Sequence, residues 1–154
     1  MIDKVQALIK QYLGSKGDDI SEEQEKRLAI YGILFEAARS DYQVKDEELD
    51  KIREVMERHF SMSDEEYAIL AKQAHDIHLD SADMYQICRD IKKHMSRDER
   101  LKLMDEVWEI AFADGDLDPH ETSIIRRLSD QLGLEHNEFI NGKLNAAKTF
   151  HKKN

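Results

Sequence analysis

The chain contains few residues that would interrupt a helix or crosslink a fold: one proline, six glycines and one cysteine among 154 residues. The lone cysteine, Cys88, excludes an internal disulfide and is consistent with a reducing compartment. No apolar run reaches the about 18 residues that a membrane-spanning helix needs, and the N-terminus has no secretion-signal pattern. These absences predict a cytoplasmic protein without membrane insertion.

Positive charge is also scarce relative to negative charge. Asp and Glu number 33 against 23 Lys and Arg, which gives a formal net charge of -10. Nucleic acids and anionic membranes attract proteins through a cationic field, so neither is expected as a partner. Protein partners with basic patches, or cations, fit this charge better.

Apolar residues recur at helical spacing almost throughout, which predicts an all-α fold. We expect about eight helices, near residues 2–13, 21–40, 46–60, 64–77, 82–94, 97–113, 119–132 and 136–149. A short polar residue followed three positions later by Glu or Gln predicts four of the helix starts. These pairs are Ser21 with Gln24, Ser63 with Glu66, Ser96 with Glu99, and Asp118 with Glu121. Asp80 or Ser81 is expected to cap the fifth helix.

Two stretches of the sequence, 36–53 and 109–126, repeat at an offset of 73 residues. The identical positions are Glu36/Glu109, Ala38/Ala111, Asp41/Asp114, Glu48/Glu121, Ile52/Ile125 and Arg53/Arg126. After a one-residue deletion, Glu66-Tyr67 matches Glu138-Phe139, so the units cover about 28–70 and 101–143. Two repeats are too few for a solenoid. We therefore predict a single domain over 1–154, built as a pseudo-twofold bundle around two apolar helices.

Two glutamates in these apolar helices are expected to have a structural role. Glu36 and Glu109 lie among apolar residues, where an unpaired carboxylate would be costly to bury. Arg53 and Arg126 recur at matching positions of the partner helices. The hypothesis is that each arginine pairs with the glutamate of its own repeat.

Four carboxylates, Asp114, Asp116, Asp118 and Glu121, lie within eight residues and form a candidate site for Ca²⁺ or Mg²⁺. The pattern is not an EF-hand, because Pro119 stands where that loop needs glycine and Ile125 where it needs glutamate. A structural alternative assigns Asp114 to the end of one helix and Asp118 with Glu121 to the start of the next. In the first repeat only Asp41 and Glu48 remain, so no cation is expected there.

No nucleophile motif, phosphate-binding glycine loop or dinucleotide fingerprint is found, which predicts a non-enzymatic protein. His75 and His78 are one helical turn apart, but no residue completes a metal-binding frame with them. Cys88 lies between apolar residues and is interpreted as a buried apolar side chain. The alternatives are a metal-dependent hydrolase, a metal carrier, or a structural homo-oligomer that self-associates through the apolar stripe of residues 1–13.

The second half of the chain contains the motifs Ala113-Asp114-Gly115, Leu117, Asp118-Pro119, Glu121, Ile125-Arg126-Arg127 and Leu132-Gly133-Leu134. Together they resemble the tellurite-resistance TerB family, which also includes the N-terminal domain of a membrane-anchored J-domain cochaperone. Asp83-Met84-Tyr85, Asp98-Glu99-Arg100-Leu101 and Phe139-Ile140 are similar to the stand-alone cytoplasmic branch of that family.

The resemblance covers most of the chain. It implies an internally duplicated helical fold, a link to tellurite resistance and the stress response, a metal-binding role for the acidic residues, and no established catalysis. The first repeat departs from the family pattern at Ser40-Asp41-Tyr42 and at Lys45. Together these observations predict an interaction module.

Overall fold

The computed structural model describes residues 6–7, 10–11, 21–38, 45–77, 80–113, 117 and 119–151. These residues form no strand, and seven α-helices with defined bounds run along them. The helices are α1 Glu22–Ala38, α2 Asp46–Phe60, α3 Asp64–Asp76, α4 Ser81–His94, α5 Arg97–Ala111, α6 Pro119–Gln131 and α7 His136–His151. The all-α prediction is confirmed, and these bounds differ from the predicted ones by at most two residues. The helix predicted over 2–13 lies largely outside the described residues.

Helices α1 and α5 occupy the centre of the bundle, as their apolar sequences predicted. Helix α1 packs against α2, α3, α4, α5 and α6, and α5 packs against α1, α2, α6 and α7. Apolar side chains on several sides of both helices are therefore removed from water, which provides the main driving force for folding. Fully buried examples are Ile30, Ile33, Leu34, Leu103, Val107, Trp108 and Ile110. In the part of the chain described here, no helix is both long and apolar enough to cross a membrane.

Reciprocal hydrogen bonds between side chain and backbone begin helices α3 and α5. At α3, the Glu66 N–H donates to Ser63 Oγ and the Ser63 N–H donates to Glu66 Oε1, both at 3.2 Å. Ser96 and Glu99 make the same two bonds at α5. At both starts the backbone N–H of the serine lowers the pKa of the glutamate. These two predicted helix starts are confirmed.

The other helix starts show how tertiary contacts modify the local pattern. Asp80 caps α4 by accepting from the Asp83 N–H at 2.7 Å. Ser21 accepts from the Gln24 N–H at 3.2 Å, as predicted, but the Gln24 side chain instead donates to Gln73 of α3 at 2.8 Å. Asp118, predicted to cap α6, lies outside the described residues.

The predicted pairing of Glu36 with Arg53 and of Glu109 with Arg126 was wrong. Glu36 accepts from Arg127 at 3.4 Å, and Glu109 accepts from Arg58 at 3.0 Å. Each of these arginines belongs to the other repeat, so the ion pairs connect the two halves of the chain. Arg58 lies on the side of α2 that faces α5, which explains why it reaches Glu109.

Arg53 and Arg126 instead lie over aromatic rings. The Arg53 guanidinium is 5.4 Å from the centre of the Tyr67 ring, and the Arg126 guanidinium is 5.3 Å from the centre of the Phe139 ring. Arg53 also pairs with Glu57 and Asp64, which places it on the side of α2 that faces α3. Distances in this range are typical of cation–π contacts. Arg53 and Arg126, which match in sequence, therefore make the same kind of contact, but it is with an aromatic ring and not with the predicted glutamate.

Helices α2 and α6 end at matching positions of the two sequence repeats, and each end contains a residue with a positive φ. Gly133 has φ 75°, and its N–H and that of Leu134 donate back to Asp130 and Ser129 at 3.0 Å. These two bonds are the Schellman motif that commonly ends a helix. Ser61, 72 positions earlier, has φ 53° at the end of α2. Glycine often takes a positive φ at the end of a helix, which predicts this conformation for Gly115 as well, but Gly115 lies outside the described residues.

Candidate functional site

The predicted cation site lies in the segment that joins the end of α5 to the start of α6. Asp114, Asp116 and Asp118 fall outside the described residues, so their arrangement stays a prediction. Glu121 is the third residue of α6, and it is 1% exposed. Glu48, at the third position of α2, is also 1% exposed and accepts from the Lys45 N–H at 3.3 Å. The two matching glutamates thus occupy the same buried position in the first turn of their helices.

Cys88 and His75, which were also considered for catalysis or metal binding, pack against other side chains of the bundle. Cys88 is buried, and burial raises the pKa of its thiol to about 12, consistent with the predicted apolar role. His75 is in T-shaped arrangements with Tyr31 and Phe35, with ring centres 6.5 and 5.7 Å apart, and His78 is not among the described residues. Within the described ranges, no three His, Cys, Asp or Glu side chains are grouped as metal ligands.

A groove of about 400 Å³ lies over α5 between α2 and α7, and the sequence did not point to it. Helices α2 and α7 both pack against α5 and leave this space between them. The lining side chains recur at helical spacing on the three helices, so each helix contributes one face. They are Lys51, Glu54 and Arg58 from α2, Asp105, Trp108 and Glu109 from α5, and Gly142, Asn145, Ala146 and Thr149 from α7.

Most of the charges in the groove are paired, but Asp105 is not. Lys51 contacts Glu54 at 3.3 Å, and Arg58 contacts the two carboxylate oxygens of Glu109 at 3.0 and 3.2 Å. Asp105 makes no hydrogen bond or ion pair with any residue that the structure describes. Burial, followed by the negative charges of Glu109 and Glu106, raises the pKa of the Asp105 carboxyl. The groove therefore carries an uncompensated negative charge.

Trp108 of α5 and Gly142 of α7 line another part of the groove. Trp108 is 1% exposed, and its ring packs against Phe139 with the ring centres 5.4 Å apart. A Cβ atom at Gly142 would lie 2.8 Å from the Trp108 Nε1 atom, so only glycine allows α7 to come this close to the indole. The indole N–H has no acceptor among the described residues. A glycine in the interior of a predicted helix indicates a close approach of this kind, so Gly142 was the sequence signal that could have pointed to this part of the groove.

The chain matches a protein-family model over most of its length. The family model described as tellurite resistance protein TerB matches residues 27–144. This range includes both sequence repeats, the acidic segment between α5 and α6, and most of the groove. No curated protein and no solved structure matches the chain significantly.

Proposed function

Since the chain belongs to the tellurite resistance protein TerB family, we propose that it is a non-enzymatic interaction module of a cytoplasmic stress or tellurite-resistance pathway. In this proposal it binds a protein partner through the groove over α5. The observation that carries the proposal is the groove itself, in which unpaired polar groups line a concave surface. Its volume of about 400 Å³ falls within the range of about 300–1,000 Å³ that is typical of ligand sites.

The charge of the chain supports a basic partner. A net charge of -10 favours encounter with positively charged protein surfaces. The net charge of the groove is also negative, because three acidic side chains and two basic ones line it. Rigid helices form its walls, so little ordering of the module would be needed on binding.

We also propose that the chain is internally duplicated, with its two halves related by a pseudo-twofold axis and an additional helix near residues 2–13. Two pairs of matching features support the duplication. Arg53 over Tyr67 corresponds to Arg126 over Phe139. The positive φ of Ser61 corresponds to that of Gly133.

Site-specific photo-crosslinking in cells tests the interaction module. A photo-reactive amino acid at Asn145, which lines the groove, should crosslink to a defined protein partner. The same amino acid at Ile69, which is 58% exposed on α3 and does not line the groove, should not. The products are resolved by electrophoresis and identified by mass spectrometry. Identical products at both positions, or none at Asn145, would contradict docking in the groove.

A second proposed function is divalent-cation binding by the acidic segment that precedes and opens α6. Its support is the spacing of Asp114, Asp116, Asp118 and Glu121 between two helices, since oxygen ligands suit Ca²⁺ and Mg²⁺. Asp116 is the informative residue, because the structural alternative gives helix-terminal roles to the other three.

Calorimetric titration with Ca²⁺ and Mg²⁺ distinguishes this cation site from a purely structural turn. Asp116→Asn should abolish saturable binding while leaving the free energy of unfolding nearly unchanged. Asp118→Ala is the comparison variant, and it should cost about 0.5–2 kcal/mol with or without the ion because it removes a helix cap. If the wild-type chain gives no binding heat with either ion, the cation proposal fails and the structural turn remains.

A further inference from the structure

We propose that the groove over α5 binds one arginine side chain of the partner protein. Asp105 is its counter-ion, and the indole N–H of Trp108 donates to a carbonyl oxygen of the same partner segment. This inference rests on the proposed interaction function and specifies what that interaction recognises. It follows from two groups in the groove that have no partner among the described residues. One is a hydrogen-bond acceptor, the Asp105 carboxylate, and the other is a donor, the Trp108 indole N–H.

The first group is the Asp105 carboxylate, which can only accept hydrogen bonds when ionised. The two basic side chains of the groove are already paired, Lys51 with Glu54 and Arg58 with Glu109. Asp105 and Glu109 are four residues apart on α5 and therefore lie on one helix face. An incoming cation would be attracted by both carboxylates, whereas an incoming anion would be repelled by Asp105 and would have to displace Glu109 from Arg58.

The second group is the indole N–H of Trp108, a hydrogen-bond donor without an acceptor among the described residues. The side chain is 1% exposed, so this N–H is shielded from bulk water except where Trp108 meets the groove. Helix α7 comes close to that edge at Gly142, but no side chain from this position covers it, since a Cβ atom there would lie 2.8 Å from Nε1 and 3.1 Å from Cδ1. The indole nitrogen keeps a small area of contact with solvent where Trp108 lines the groove, so a peptide carbonyl from a ligand can reach it and accept its hydrogen bond.

The spacing of these two groups suits one residue of an extended segment. Asp105 and Trp108 are three residues apart on α5, so they are neighbours on the helix surface. An amino acid with a backbone carbonyl and a cationic side chain would contact both. Arginine fits better than lysine, because the guanidinium is less strongly hydrated and forms two parallel hydrogen bonds with a carboxylate. Burial, and then the negative charges of Glu109 and Glu106, raise the pKa of the Asp105 carboxyl, and a cation bound beside it would offset this rise.

Nuclear magnetic resonance on the full chain tests the assignment, because Trp108 is the only tryptophan and its indole N–H gives a single signal. The probe is N-acetyl-arginine N-methylamide, which carries a guanidinium and two amide carbonyls. It should shift the indole signal saturably. Asp105→Asn keeps the size of the side chain but removes the charge, and it should weaken probe binding by about tenfold or more.

The matched control is Asp98→Asn, which makes the same change of charge at an exposed position of α5 outside the groove. It should leave probe binding unchanged. N-acetyl-norleucine N-methylamide and N-acetyl-glutamate N-methylamide replace the cation by an apolar and an anionic side chain, and neither should match the arginine probe. Equal or stronger binding of either compound, equal binding by Asp105→Asn, or no shift with the arginine probe would overturn the assignment.

The crosslinking experiment tests whether a protein binds in the groove, and the probe experiment tests whether arginine is the recognised group, so either result can be negative without the other. A crosslinked partner at Asn145 together with no response to the arginine probe would keep the interaction module and reject arginine as the recognised group. A response to the arginine probe that Asp105→Asn weakens, without a crosslinked partner in cells, would keep the site and reject a protein as its natural ligand.

Discussion

Replacing His59 by alanine should lower the free energy of unfolding by about 3 kcal/mol, because it leaves the carboxylate of Glu106 buried without its main partner. The Glu106 side chain is 3% exposed, and its two oxygens lie 3.1 and 3.3 Å from His59 Nδ1. The nearest guanidinium is that of Arg58, whose Nη2 atom lies 4.0 Å from Glu106 Oε2. An ionised carboxylate accepts hydrogen bonds but cannot donate them, so Nδ1 is the donor in this pair.

Urea unfolding at neutral pH measures this loss against two controls. Lys26→Ala removes the exposed ion pair with Glu99, whose closest atoms are 3.8 Å apart, and should cost less than about 1 kcal/mol. A double variant with leucine at positions 59 and 106 should lie within about 1 kcal/mol of the wild type, since it removes both polar groups together. If His59→Ala costs no more than Lys26→Ala, the pair does not stabilise the contact between α2 and α5.

Replacing Leu34 by alanine should cost about 3–4 kcal/mol, within the range expected for truncation of a fully buried leucine. Leu34 is 0% exposed, and its helix packs against five others, so the surroundings have little freedom to close the resulting cavity. The cost combines the lost transfer free energy of the deleted atoms with the unfilled volume.

Leu144→Ala is the matched control, since it deletes the same atoms from a side chain that is 54% exposed on α7. It should change the free energy of unfolding by less than about 0.5 kcal/mol. Thermal and urea unfolding of both variants measure the difference. Similar losses in the two variants would mean that α1 is not the centre of the bundle.

The sequence by itself determined the helices and most of their starts. Ser63 with Glu66 and Ser96 with Glu99 form the predicted reciprocal bonds, because both partners lie within one turn of the same helix. The apolar character of α1 and α5 likewise indicated their central positions, since a helix that is apolar on several sides must be covered on those sides.

The tertiary structure alone decided which distant side chains meet. Glu36 and Glu109 were recognised as needing cations, but the sequence could not show that Arg127 and Arg58 supply them. The partner of such a group depends on the angle and rotation of one helix against another, and no spacing within a helix encodes these. Gln24 shows the same limit, because its side chain bonds to Gln73 of α3 instead of completing its own helix start.

The groove depended on the tertiary structure for the same reason. Its polar groups come from helices α2, α5 and α7, where Lys51, Asp105 and Gly142 are far apart in sequence. Each residue alone is an ordinary helix residue or an isolated glycine. They form a candidate binding site only because α2 and α7 pack side by side against α5, and packing between helices distant in sequence is decided by the summed burial of many side chains.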